Sequence, residues 1–251
     1  METVIRVEHL TKRFSRAGQA VTAADDVSFS LHAGECLGLI GESGSGKTTV
    51  VNMITRLLDP TEGRIFLNDE DITERKGAAL RKMYRDVQMV FQTPTESFDP
   101  RRTLGDGIGE SLRNSGMGRE KVRLEVRRLL VQCGLPEEFA DRYPHEVSGG
   151  QCQRAAIARA IAIKPKVLIL DEATSALDVT VQKEILELLQ SLKDELQMSY
   201  LFICHDIALV QAFCDRVVVM NQGKLVEEGI PDRVIADPQE EYTKNLIASV
   251  L

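Results

Sequence analysis

Short apolar runs separated by polar, turn-forming stretches mark out most of the chain. VIRVEHL (4–10) and ECLGLI (35–40) read as strands, and VVNMITRLL (50–58) carries the wider spacing of a helix. RIFLND (64–69) and VQMVF (87–91) are again strand-like. From about 93 to 146 the rhythm changes. Helical periodicity dominates there, as in VRLEVRRLLVQCG (122–134), and Pro94, Pro100, Pro136 and Pro144 interrupt it. A further helical stretch, CQRAAIARAIAI (152–163), leads to KVLILD (166–171), a short run with the character of a strand buried on both faces. VQKEILELLQSLKDEL (181–196) is an amphipathic helix, and SYLFIC (199–204) and RVVVMNQ (216–222) are strands. This order predicts an α/β fold with a largely parallel sheet and one helical insertion of about 50 residues. The expectation is a single domain over 1–251, with a core formed by 1–92 and 147–251 and a helical part at 93–146. The sequence shows no tandem repeat and no low-complexity linker.

Composition narrows the setting. The 251 residues are 43% hydrophobic and 27% charged, which is ordinary for a soluble globular protein. No apolar run approaches the roughly 18–20 residues needed to span a bilayer. The opening residues, METVIRVEHL, lack the basic-then-apolar order of a secretory signal, so a cytosolic protein is expected. A net charge of −7 disfavours nucleic acid or an anionic membrane as the main partner. The five cysteines (Cys36, Cys133, Cys152, Cys204 and Cys214) form no C-x-x-C pair and read as reduced, inert thiols.

The candidate chemistry begins in LIGESGSGKTTVVNMI (39–54). Gly41, Glu42, Ser43, Gly44, Ser45, Gly46, Lys47 and Thr48 fit G-x-x-x-x-G-K-[ST] between a predicted strand and a predicted helix. Glycines let the backbone turn its N–H groups inward around a phosphate chain, and the helix N-terminus adds partial positive charge. Lys47 is placed to reach the β- and γ-phosphates, Thr48 to offer a hydroxyl to Mg²⁺, and Thr49 to add a phosphate contact. The competing reading is a flexible surface loop. At ordinary glycine usage of about 7%, a chance match is on the order of one in a hundred.

A phosphate loop needs a carboxylate at the end of a buried strand, and VLILDE (167–172) supplies two. Asp171 is the expected Mg²⁺ holder through water, and Glu172 the residue that polarises an attacking water. Acidic residues at a strand end are common in themselves; the pairing with Lys47 gives these meaning. Val147, Ser148, Gly149, Gly150 and Gln151 stand just before the helix at 152–163. Such a turn is either an N-cap with glycines for close packing or a second anion cradle. A chain with one phosphate loop needs a second only where the nucleotide is shared.

Taken together, these motifs resemble the ATP-binding subunit of ABC transporters, nearly end to end. GESGSGKTT matches Walker A, VLILDE Walker B, and VSGGQ the signature, with Val147 for the usual leucine. Ser175, Ala176, Leu177 and Asp178 match the D-loop, His205 the switch histidine and Gln92 the Q-loop glutamine. Phe14 is the candidate aromatic that stacks on adenine. Ala173 stands where proline often follows the Walker B glutamate, and Cys152 follows the signature. The resemblance implies an N-terminal antiparallel β portion beside the P-loop core, with the helical insertion as a subdomain. It also implies head-to-tail pairing of two cassettes, each ATP lying between Walker A of one and the Ser148–Gln151 turn of the other. Asp178 would lie near that shared nucleotide. Glu172 would be the base or water-positioner, His205 a γ-phosphate contact, and Gln92 the link between nucleotide, metal and helical insertion. The implied cofactors are ATP and Mg²⁺, the latter held by Thr48, Gln92 and Asp171, partly through water.

Two stretches point within the family. FQTPTESFDPR (91–101) resembles the Q-loop run of dipeptide, oligopeptide and nickel importer ATPases, and DPQEEYTKNLIASVL (237–251) resembles their P-x-x-x-Y-T-x-x-L tail. Longer members continue into an extension with clustered cysteines; the resemblance here is to the shorter nickel- and metallophore-type subunits, expected to stop before it. The resemblance implies an importer of peptide, nickel or metal-chelate solute. It also implies two permeases, a second and paralogous cassette, an extracytoplasmic solute-binding protein, and a peripheral location on the cytoplasmic face of the membrane. An ATPase-like subunit of phosphonate metabolism and a non-transport ABC ATPase remain open alternatives.

Overall fold

The computed structural model describes residues 2–16, 19–174 and 177–248. Its centre is a six-stranded sheet in the order β10-β9-β3-β8-β7-β6. Five of these strands are parallel: β3 (Cys36–Ile40), β6 (Val87–Val90), β7 (Val167–Asp171), β8 (Ser199–Ile203) and β9 (Arg216–Asn221). β10 (Lys224–Gly229) closes the edge as an antiparallel hairpin. Its two-residue turn, Gln222–Gly223, has positive φ at both positions, the twist that matches paired strands.

Every residue of β3 and β8 is buried, which explains their unbroken apolar sequences. Alternate side chains serve different cores. Leu37, Leu39, Ile169, Leu201 and Ile203 face one cluster, while Cys36, Ile40, Leu168, Leu170, Tyr200 and Phe202 face the other.

The first cluster is roofed by α1 (Lys47–Ile54) and a four-stranded antiparallel sheet. That sheet runs β2-β1-β4-β5, from β1 (Thr3–Arg16), β2 (Gln19–His32), β4 (Glu62–Leu67) and β5 (Glu70–Asp71). β1 extends well beyond the run at 4–10, and β2 was not anticipated, because its polar centre masks the alternation of buried Val27, Phe29 and Leu31. His9 and Asp26, both with positive φ, sit where the β1–β2 register shifts and bond side chain to side chain at 2.7 Å.

The second cluster is covered by helices. α6 (Gly149–Ile161), α7 (Val179–Leu196), α8 (Ile207–Phe213), α9 (Pro231–Ala236) and α10 (Glu241–Ala248) pack there with the helical subdomain. The subdomain contains α3 (Leu104–Ile108), α4 (Glu110–Asn114) and α5 (Arg119–Gln132). α2 (Gly77–Asp86) precedes β6. Among the described residues, no helix is long and apolar enough to cross a membrane. All five cysteines are free and buried.

Candidate active site

Four neighbouring parallel strands, β3, β8, β7 and β6, end on one edge of the central sheet, and the predicted site residues follow those ends. The 41–49 loop leaves β3 and enters α1 at Gly46, which has φ 109° and caps the helix without a side-chain bond. A Cβ at Gly46 would stand 2.3 Å from the Ala23 carbonyl oxygen, and one at Gly41 would stand 2.2 Å from that of Met220. Only glycine lets this loop lie against β2 and β9 so closely. Ser43, Gly44 and Thr48 are exposed, Thr49 half-buried and Ser45 buried.

Lys47 is buried, with 5% of its surface exposed. Its ammonium donates to the carbonyls of Gly41 (2.7 Å) and Glu42 (2.9 Å) and lies 3.5 Å from Ser45 Oγ. Burial lowers its pKa, against the opposing fields of Glu172 and Asp171. The converse holds for Asp171 at the end of β7. Burial, then the charge of Glu172, raises its pKa, while Lys47 pulls it down. A buried cation and a half-buried carboxylate thus sit within range of one another.

Glu172 takes a left-handed conformation (φ 46°), its N–H bonded to the Ile203 carbonyl at 3.0 Å. This tight exit from β7 holds the carboxylate between its neighbours. Gln92, just after β6, donates through Nε2 to Glu172 Oε2 at 2.7 Å, and His205, just after β8, places Nδ1 3.9 Å from Oε1. Gln92, Glu172 and His205, far apart in sequence, therefore meet around one carboxylate.

Ser148 and Gln151 form a reciprocal capping box at the start of α6. Ser148 Oγ accepts the Gln151 N–H at 3.3 Å, and the Ser148 N–H donates to Gln151 Oε1 at 2.9 Å. The two glycines between them differ. A Cβ on Gly150 would stand 2.7 Å from Val181 Cγ1 of α7, whereas one on Gly149 meets only Leu177 Cδ2 at 3.9 Å. Asp178 caps α7, accepting the Val181 N–H at 3.1 Å. Ser175 and Ala176 lie outside the described residues. Among those described, no hydrogen bond or ion pair joins the Ser148–Gln151 turn to the 41–49 loop. Phe14 pairs with Val21 across β1 and β2, two residues before the Ala23 that packs against Gly46. Its ring is 40% exposed, with Lys12 Nζ 5.2 Å from the centroid.

One contact was not legible as a site residue. The Glu42 N–H donates to the hydroxyl oxygen of Tyr242 on α10 at 2.9 Å. The tyrosine stood in view in the tail at 237–251, but no local pattern links it to a loop 200 residues away.

Comparison with known proteins settles the family. The ABC transporter family model matches residues 24–175. The chain belongs to the ABC transporter family. Among curated relatives, it is 45% identical over 258 residues to the glutathione import ATP-binding protein GsiA of Shigella dysenteriae serotype 1 (strain Sd197). That match takes in 99% of this chain and 41% of the relative, so the chain spans about two fifths of the length of such relatives. It is 42% identical over 252 residues to the oligopeptide transport ATP-binding protein OppF of Bacillus subtilis (strain 168), covering 99% of this chain and 83% of that one. Among solved structures, cbiO1 of Clostridium perfringens, part of the ABC transporter complex cbiONQ, superposes with a TM-score of 0.84. It is 29% identical over 94% of this chain and 92% of its own. The ATP-binding cassette MJ0796, a dimer bound to ADP and Pi in a post-hydrolysis state, gives a TM-score of 0.83. It is 30% identical over 90% of this chain and 98% of its own. The ABC cassette fold expected from the sequence, with its P-loop core, antiparallel sheet and helical subdomain, is the fold found.

Proposed function

We propose that this ABC cassette binds and hydrolyses ATP to energise an importer of peptide-type solutes. The single observation that supports hydrolysis, rather than binding alone, is the meeting of Gln92, Glu172 and His205 around one carboxylate. In this reading the 41–49 loop and α1 receive the triphosphate, with Lys47, Thr48 and Thr49 as its side-chain contacts and Phe14 beside the base. Glu172 accepts the proton of, or orients, the attacking water. Gln92 holds Glu172 by one oxygen, and His205 stands ready at the other to meet the γ-phosphate.

The residues present suit Mg²⁺. Asp171 is a half-buried carboxylate beside a second acid, whose charges a divalent cation offsets. Thr48 brings a hydroxyl, and Gln92, whose nitrogen bonds to Glu172, has an amide oxygen suited to a hard cation. The metal would neutralise charge on the phosphates. Ser148, Gly149, Gly150 and Gln151 serve the nucleotide of a partner cassette, and Asp178 orders the start of α7 at that junction. The space around Gly149 supports this, since among the described residues a Cβ there would meet only Leu177 Cδ2, at 3.9 Å.

The named relatives are a glutathione import and an oligopeptide transport ATP-binding protein, which supports the peptide side of the peptide, nickel or metal-chelate expectation. The partners in this reading are two permeases, a second cassette (a paralogue rather than a copy) and, indirectly, a solute-binding protein. The chain would then lie peripherally on the cytoplasmic face of the membrane. An open groove of about 280 Å³ beside the Q-loop, lined by Leu57, Tyr84, Met89, Phe91, Ser97 and Arg159, is the proposed seat of a permease segment. Leu57 and Phe91 are exposed there at 60% and 42%.

Glu172→Gln tests the hydrolytic role. It keeps the shape and the hydrogen bond to Gln92 while removing the charge. ATP affinity is expected to hold, with turnover of the assembled transporter falling by about 10²-fold or more. Near-normal turnover would overturn the role given to Glu172.

A further inference from the structure

The peptide group joining Gly41 to Glu42 is held at both ends. Its carbonyl oxygen accepts from Lys47 Nζ at 2.7 Å, and its N–H donates to the Tyr242 hydroxyl oxygen at 2.9 Å. Lys47 also bonds to the next carbonyl, that of Glu42, at 2.9 Å. Tyr242 thus meets the backbone segment that orients the phosphate-binding lysine. Bonds at opposite ends of one peptide polarise and reinforce each other.

Tyr242 is well placed to hold this geometry. Its helix, α10, is seated by Thr243, Leu246 and Ile247, which are buried. Thr243 and Ile247 close an apolar seam with Ile40, the last residue of β3, and with Ile207, Val210 and Val234. The approach to α10 is fixed by Glu227 of β10, whose carboxylate accepts the N–H groups of Gln239 (2.9 Å) and Glu240 (3.2 Å). The phenol is itself half-buried, and burial raises its pKa against the pull of the Glu42 N–H, so it stays neutral at physiological pH.

We propose that Tyr242 is a positioning residue for the phosphate-binding loop: its hydroxyl fixes the Gly41–Glu42 peptide, and through it Lys47, making nucleotide affinity depend on the C-terminal helix. This rests on the nucleotide-binding reading above and adds to it a residue remote from the motif.

Tyr242→Phe removes one oxygen and keeps the ring. The full chain is titrated with Mg-AMP-PNP, an ATP analogue that resists hydrolysis, and amide exchange is followed at Glu42 and Leu246. Loss of one hydrogen bond is expected to weaken binding roughly three- to ten-fold. Exchange at Glu42 should quicken, with Tm and the Leu246 amide unchanged. Equal affinity and unchanged exchange at Glu42 would overturn the proposal. So would weaker binding accompanied by a lower Tm and faster exchange at Leu246, since Tyr242 would then only hold the helix in place. Failure of the wild type to bind the analogue would instead refute the nucleotide reading, and the Glu42 exchange would still decide whether Tyr242 holds the loop.

Discussion

At the scale of single residues, burial decides which groups react. Burial drives both Lys47 and Asp171 towards neutrality and each helps keep the other charged, while Glu172 supports the charge of Lys47 and opposes that of Asp171, a balance that phosphate and metal ligands would tip. At the thiols burial outweighs the nearby guanidiniums, Arg154 and Arg128 beside Cys133 and Arg159 beside Cys152. Burial pushes Cys133 up to about 12 and Cys152 and Cys204 up to about 11. Cys214 is raised by its contact with Cys36, 3.7 Å away, and by burial. Thiolate is the nucleophile in disulfide exchange. Native protein at pH 8 should therefore react with an aromatic disulfide reagent at no more than a trace of the rate seen in denaturant. Rapid labelling of the native chain would contradict the burial described here.

At the scale of elements, the glycines of the Ser148–Gln151 turn separate packing from function. Gly150 lies against α7, so Gly150→Ala must push Val181 aside and is expected to cost about 1–2 kcal/mol, read as a lower Tm. Gly149→Ala makes only an ordinary contact with Leu177 among the described residues, lies in the first turn of α6, and should leave Tm unchanged or slightly raised. A large loss for Gly149→Ala would make that glycine structural. The same contrast explains what the sequence disclosed. The buried parallel strands β3, β7, β8 and β9 were plain, because burial on both faces leaves an apolar run that polar flanks delimit. β2 and β10 were not, because one face of each is solvated and the pattern is thin. Among site residues, Lys47, Asp171, Glu172, Gln92 and His205 were legible from spacing together with the family resemblance. Tyr242 was hidden because its contact is set by the seating of α10, a tertiary fact without a local signature. The sequence also left open whether Ser148 and Gln151 cap a helix or cradle an anion. In this chain they cap, and the capping leaves Gly149 facing outwards.

At the scale of the whole molecule, the candidate site residues gather where β3, β8, β7 and β6 end, and the Q-loop groove adjoins them through Phe91, the neighbour of Gln92. A change at Glu172 is thereby linked to the surface proposed to hold a permease through its hydrogen bond to Gln92 and the adjoining Phe91. Leu57→Asp tests that surface. Leu57 is 60% exposed, so the isolated chain should fold and bind nucleotide normally. Co-expressed with the permeases proposed as its partners, the variant should stay in the supernatant while the wild type sediments with membranes. Sedimentation of both would place the permease elsewhere.

The central claim is that this cassette is half of a shared ATPase, holding one nucleotide in its own loop and lending its Ser148–Gln151 turn to another. Gly149→Asp addresses it directly. Among the described residues only Leu177 comes within 4 Å of a Cβ at this position, so the fold should survive. The carboxylate would then face the γ-phosphate of the partner's nucleotide, where backbone N–H groups belong. Repulsion and lost contacts of this kind cost about 3–4 kcal/mol, or roughly 10²–10³ in rate. The measurement pairs ATP affinity of the isolated subunit with turnover of the assembled transporter. The account predicts unchanged affinity and turnover reduced by that factor; unchanged turnover, or affinity falling in step with it in the isolated subunit, would contradict it.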